Sequence, residues 1–376
     1  MPTRPRLASP VAGLLALALA ACAAEAPLPA RPPGAAGTTV PADTNLPPEA
    51  FYILPEAAGW DTAALDAFIA YTESQNSTGL IILDRGRIIA ERYWPAPHSA
   101  AEFSKNFVHG TASNGALIED VASLQKSIAA LLMGIAADKG LVNPDRPVSD
   151  YIGPGWSRAG ADNEAVITVR HLMEMNSGLT AGLDYEAPAG TRFFYNTPAY
   201  AHLLAVLEAV AGQPLPALTE DWLAAPLGLK DTAWRPRPES FGAVGNPLAL
   251  TATPRDLSRI GQMVLEGGLA PDGRRVISEA QLRAILTPTG TNPAYGRLWW
   301  LNGGEWSAGP DAGATRREGP FIPAAPDDLA TALGALNRQL FVVPSRGLVI
   351  VRTGSAARDA DFTQEMWRRL APALPD

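Results

Sequence analysis

The chain has 376 residues, 47% of them hydrophobic and 18% charged, with a formal charge of −8. That length supplies one large domain or two modest ones, with ample material for a core. The composition argues against a multispanning membrane protein, and the acidic balance against a nucleic-acid partner, which would need a basic face.

The N-terminus reads as a targeting segment outside the fold. Arg4 and Arg6 precede "VAGLLALALA", a ten-residue apolar run too short to cross a bilayer, and "LAAC" ends at Cys22, the one cysteine of the chain. "LAAC" resembles the bacterial lipobox; an ordinary signal peptide with an incidental cysteine is the plainer alternative. The resemblance implies removal of residues 1–21, lipidation of Cys22, and an exported protein anchored by lipid to a membrane of the cell envelope. Ala23, rather than Asp, follows the cysteine, which among such lipoproteins points to the periplasmic face of the outer membrane. Residues 22–50 are rich in Pro, Ala and Gly without a hydrophobic period and read as an extended tether.

The domain proper spans 51–376. "DTAALDAFIAYTESQ" predicts a helix capped by Asp61, and "TGLIILDRGRIIAERYW" a hairpin turning at Asp84-Arg85-Gly86. Residues 95–118 look irregular. The helix that carries Ser123 should end at Gly140. Helical patterns then dominate to about Ala284: "ITVRHLMEMNSGL", "PAYAHLLAVLEAVAGQ", "LPALTEDWLAAPLGL", "TPRDLSRIGQMVLEGG" and "SEAQLRAIL". Strand patterns return in "YGRLWWLN", "TALGALNRQLFVVPS" and "GLVIVRTG", and "DFTQEMWRRLAPAL" closes the chain as an amphipathic helix. The order predicts an α+β fold. One antiparallel sheet is built from both chain ends, about 51–120 and 290–376, and flanked by helices, with a mainly helical insert at about 121–289.

Four of the 30 basic residues are lysine, and the rest are arginine. Lys126, three residues after Ser123 in "EDVASLQKSIAALLMGIAADKG", therefore stands out. Residues three apart share a helix face. The apolar run Ile128–Ala137 surrounds the whole helix, which should be buried on every side. Burial and the helix dipole both push a lysine toward a neutral amine, able to take the proton of a serine hydroxyl one turn away. Ser-x-x-Lys alone arises by chance about 0.2 times in a chain of this composition. A serine cap followed by a snorkelling lysine is its structural alternative.

The surrounding stretches add weight. "ASLQKSIAALLMGIAADKGLVNPDRPVSDYI", "GTRFFYNTPAYAHLLAVLEAVAGQPL", "PLGLKDTAW" and "LTATPRDLSRIGQMVLEGG" follow in the order of the serine β-lactamase/penicillin-binding superfamily. The chain resembles its class C and esterase branch, near the nylon-oligomer hydrolases. The resemblance implies Ser123 as nucleophile and Lys126 as its base. In the second box, Tyr-x-Asn in the family, it implies Tyr195 as proton relay; here Thr197 fills the third position and Asn196 is displaced by one. The third box falls on Ala332-Leu333-Gly334, without a cation. Arg352-Thr353-Gly354 is too near the C-terminus to be that box, since only 22 residues follow it. The backbone N–H groups of Ser123 and Ala335 would form the oxyanion hole, Gly334 permitting close approach. Asn196, Trp299 and Trp300 are candidate substrate contacts, one tryptophan ring belonging to the core. The loop Gly303–Leu329, with Phe321, is a candidate cap, or an inert surface loop.

No metal or cofactor is implied, since His98, His109, His171 and His202 show no ligand spacing. The reading is a serine hydrolase of small-molecule esters or small linear amides. Two alternatives stay open: an enzyme of β-lactams or peptidoglycan, and a binding protein on a degenerate hydrolase scaffold.

Overall fold

Strand β1 (Ser77–Asp84) is buried along its whole length, and its side chains leave in opposite directions. Leu80 and Ile82 enter one apolar cluster, Ile81 and Leu83 another, because successive residues of a strand point to opposite faces. The computed structural model describes residues 52–98, 100–311 and 315–375. The targeting segment, Cys22, the tether and Phe51 lie outside the described residues.

In chain order the elements are α1 (Thr62–Ser74), β1, β2 (Arg87–Tyr93), α2 (Ala101–Phe107), β3 (Val108–Thr111), β4 (Leu117–Asp120) and α3 (Gln125–Asp138). Then come α4 (Thr197–Ala211), β5 (Ala233–Pro236), β6 (Leu248–Ala252), α5 (Pro254–Leu265), α6 (Glu279–Ile285) and β7 (Trp300–Leu301). A small ribbon, β8 (Trp306–Ser307) with β9 (Arg317–Glu318), precedes β10 (Ala330–Gly334), β11 (Arg338–Val343), β12 (Leu348–Gly354) and α7 (Phe362–Leu370).

The sheet drawn from both chain ends is present. Its order is β2-β1-β12-β11-β10-β7, every pairing antiparallel. Helices α1 and α7 pack together on one face, and α5 crosses β1, β11 and β12 on the other. Local signals hold where the chemistry is specific. Asp61 accepts from the Ala64 N–H at 2.9 Å. Arg85 and Gly86 both take positive φ, as the tightest hairpin turn requires. Gly140, at φ 70°, ends α3.

Residues 95–118 are not irregular: they hold α2, β3 and β4. A second sheet, ordered β3-β4-β6-β5, draws two of its strands from the segment expected to be helical. These strands have four or five residues, and β3 is half exposed, too short a run for a period to register. "ITVRHLMEMNSGL" is helical only over Val169–Met173.

Where α5 crosses the sheet, Gly261 makes room. A methyl group there would stand 2.6 Å from Val349 Cγ1 and 2.7 Å from Leu340 Cδ1. Gly261→Ala gains helix propensity of at most about 1 kcal/mol, but the overpacking costs about 1–3 kcal/mol. The variant is expected to be less stable than wild type in urea unfolding; a more stable variant would show that the contact yields.

Candidate active site

Ser123 does not open the long helix, as the sequence suggested. It sits in a 3-10 turn, Ala122–Leu124, between β4 and α3. Ala122 takes φ 52°, a left-handed value that costs a residue with a Cβ about 1–2 kcal/mol. The Asp120 carboxylate accepts from the Ala122 N–H at 2.8 Å and helps to hold the bend. In consequence Ser123 is the one residue between Glu119 and Ala136 that is not fully buried.

Lys126 lies one turn on, 2% exposed. Its Nζ donates to Ser123 Oγ across 2.9 Å. The amine lies 4.8 Å from the ring centre of Tyr195 and 5.2 Å from that of Tyr200. Among the described residues it pairs with no carboxylate. Burial first, and then the positive charge of Arg237, lower its pKa to about 7, so the neutral amine is well populated near neutral pH.

Tyr195 completes the cluster. Burial pushes its phenol up to about 12, against a smaller opposing effect of its hydrogen bond with Ser123; it is a proton donor at any physiological pH. Its ring stacks on Trp300 at 5.7 Å, and Trp300 stacks in turn on Phe321 at 4.7 Å. Phe321 belongs to the loop after Asn302, which that residue's side chain ties together. Asn302 Nδ2 donates to the carbonyls of Ile322, Ala325 and Pro326, and its Oδ1 accepts from the Ile322 N–H at 2.6 Å.

Three residues expected to meet substrate make extensive contacts within the fold. Asn196 caps α4: its Oδ1 accepts from the Ala199 N–H at 3.1 Å, while its Nδ2 donates to the carbonyls of Leu179 and Thr180 at 3.0 and 2.9 Å. Every polar group of that side chain is occupied by backbone. Trp299 is wholly buried, its indole N–H donating to the Ser127 carbonyl at 3.1 Å. Trp300 is 3% exposed and supports the Tyr195 ring from behind. These hydrogen bonds and this burial give all three side chains structural work beside the site.

The β10 end meets the serine turn backbone to backbone. A Cβ on Gly334 would fall 2.2 Å from the Val121 carbonyl oxygen, so glycine is required for this approach. The ladder between β10 and β7 covers Ala330 and Thr331 alone, leaving the stretch Leu333–Ala335 beyond its reach. Ala335 is exposed in the turn that follows, and its carbonyl accepts from Arg338 Nη1 at 2.9 Å. Arg338 is fully buried beside Glu119, 3.3 Å away.

Sequence reasoning missed Arg237. Its guanidinium donates to both Asp120 oxygens, at 2.9 and 3.0 Å, and to Gln125 Oε1 at 2.8 Å. No local pattern announces a partner 117 positions away.

A partly exposed serine, a buried lysine and a partly buried tyrosine converge where the edge of a two-ended antiparallel sheet meets a buried helix, and this is a β-lactamase-like α+β scaffold. The profile of the family described as Beta-lactamase matches residues 66–374, and the chain belongs to that family. The 6-aminohexanoate-dimer hydrolase of Paenarthrobacter ureafaciens is 26% identical over 232 residues, 49% of this chain and 57% of that enzyme, so the match spans little more than half of that relative. Among solved structures, a penicillin-binding protein homologue from Caulobacter crescentus superposes with a TM-score of 0.59 at 15% identity, covering 86% of this chain and 97% of the homologue. A family VIII carboxylesterase does so with 0.57 at 16%, covering 82% and 96%. At such identities the two structures establish the fold alone.

The Asn196 contacts give a test. Asn196→Ala should cost about 2–3 kcal/mol in chemical denaturation, from a lost cap and two carbonyls left without a donor. Asn196→Asp should cost at least as much, although aspartate is a good cap, because its carboxylate would face those carbonyls; a milder effect would show that the cap alone matters.

Proposed function

We propose that the protein is a serine hydrolase that transfers acyl groups from esters or small linear amides to water. The observation that carries this reading is the dry Lys126 amine 2.9 Å from Ser123 Oγ. With the amine neutral the contact runs in reverse, the hydroxyl proton lying on the nitrogen lone pair. Ser123 Oγ attacks the carbonyl carbon as its proton passes to Lys126. Charge on the carbonyl oxygen meets the backbone N–H groups of Ser123 and Ala335. Tyr195 gives its proton to the leaving group and regains one from Lys126. A water molecule then attacks the acyl-enzyme, its proton taken by the same pair, and Ser123 is restored.

The substrate class follows from charge. The third-box segment Ala332-Leu333-Gly334 offers no cation, and nearby Arg338 is wholly buried and turned to Glu119. A carboxylate-bearing β-lactam thus lacks a charged partner there, which favours neutral esters and amides. A degenerate scaffold is disfavoured by the retained Ser123, Lys126 and Tyr195. The "LAAC" stretch supports the further proposal that the enzyme works at the cell envelope, anchored through Cys22.

A fluorophosphonate probe should label Ser123 in wild type and leave Ser123→Ala unlabelled, as read by peptide mass spectrometry; equal labelling of both rejects the reading. Labelling by penicillin should be weak. Lys126→Ala should lose about 10²–10⁴-fold in kcat/KM on an activated ester. Since the reaction needs the neutral amine and Lys126 titrates at about 7, kcat/KM should be full above that pH and fall as pH drops through it. A rate flat from pH 5 to 9 would remove Lys126 as the base.

A further inference from the structure

One buried charged side chain that this mechanism leaves unused is that of Arg237, just after β5. Its side chain is 8% exposed and that of Asp120 is 4% exposed, too dry for an ornamental surface pair. It grips Asp120 with two N–H groups, Gln125 with one, and the Asn246 carbonyl with another at 3.2 Å. Asp120 precedes Ser123 and holds the left-handed Ala122. Gln125 follows Ser123, and its Oε1 also accepts from the Leu250 N–H at 3.1 Å. Its Nε2 donates to the Tyr200 hydroxyl at 3.4 Å, and the Tyr200 ring lies under the Lys126 amine.

We propose that Arg237 is a positioning residue for acyl transfer: its guanidinium clamps Asp120 and Gln125, on either side of Ser123, and so fixes the turn that presents the hydroxyl to Lys126. The claim rests on the hydrolase reading for its chemistry, though not for its geometry. A planar fork is needed, since one residue must satisfy both carboxylate oxygens and an amide oxygen at once. The clamp also carries charge. Arg237 is the second cause, after burial, of the lowered Lys126 pKa. The other groups that feel Arg237 are His109 of β3, Arg338 of β11 and the Tyr200 phenol of α4, and Asp120 is the carboxylate that offsets it. Removing the guanidinium would leave Asp120 unpaired and make the ammonium form of Lys126 more favourable. Neutralising Asp120 would do the reverse.

The two effects have opposite signs, and a merely structural arginine would give neither. The full chain carries four lysines, so protein labelled with ¹³C at lysine Cε gives a simple spectrum. Lys126 is assigned in it by its loss in Lys126→Ala, and its titration needs no turnover. Arg237→Gln should raise the Lys126 midpoint by about one pH unit, and Asp120→Asn should lower it by a similar amount. Arg237→Lys keeps the charge, so the midpoint should stay while fluorophosphonate labelling at pH 9 slows about tenfold for want of the fork. Midpoints of both neutral variants that stay at the wild-type value, or move in the same direction, overturn the electrostatic half. An Arg237→Lys variant labelled at the wild-type rate overturns the clamp. Asp120→Asn, which keeps an oxygen for Ala122, carries the test if Arg237→Gln does not fold. Wild-type Ser123 that resists the probe while Lys126 titrates as described would sink the hydrolase reading and leave the electrostatic effect standing.

Discussion

An amine kept out of water beside a hydroxyl is the constraint around which this molecule is arranged. Holding Lys126 at a pKa of about 7 instead of 10.5 costs the fold roughly 5 kcal/mol at and below neutral pH, where the unfolded chain would carry a solvated ammonium. That is comparable to the net stability of a typical domain, so the remaining core must be large and well packed. It is: α3 is buried from Gln125 to Ala136, and Tyr195 and Tyr200 present aromatic faces to the amine without offering it a carboxylate. A carboxylate in either place would lock the lysine in its charged form.

The strand that leads into the serine turn ends in two adjacent acids with different assignments. Glu119 accepts from the Thr78 hydroxyl of β1 and pairs with Arg338 of β11. Arg338 holds the Ala335 carbonyl in the turn after β10 and lies over the rings of Phe103 and Phe107. Asp120 faces the other way and grips Arg237. Successive strand residues point to opposite sides, so one dipeptide ties the Ser123 turn to the main sheet and to the second sheet. Buried ion pairs are poor contributors to net stability because desolvation takes back most of the attraction. Their worth here is geometric: they hold the Ser123 turn in close backbone contact with the end of β10.

What the sequence disclosed, and what it withheld, follows the range of the interactions. Ser123 and Lys126 could be paired on paper because helical spacing is local, and the Asp61 cap, the Arg85-Gly86 turn and the Gly140 stop rest on dihedral preferences of single residues. The two-ended sheet was legible because its central strands β1, β11 and β12 are long, apolar and buried on both faces. The second sheet was not, because strands of four or five residues give too few repeats to betray a period. The resemblance drew attention to Asn196, Trp299 and Trp300, whereas the direction of their hydrogen bonds and ring contacts could be read only from the folded chain. Arg237 and Arg338 were invisible for a simpler reason. A charge becomes a clamp only when folding brings its partners to it.

The central pairing of the sheet has a consequence for how the chain comes into being. β1 finds its partner in β12, with contacts such as Arg352 to Ser77 joining residues 275 positions apart. A ribosome releases the N-terminal half first, so β1 emerges with both apolar faces and one edge uncovered long before β12 exists. Closure of so distant a pair is slow, and the waiting strand is prone to adhere to its neighbours. The nascent polypeptide must therefore remain unaggregated until β12, Leu348–Gly354, arrives.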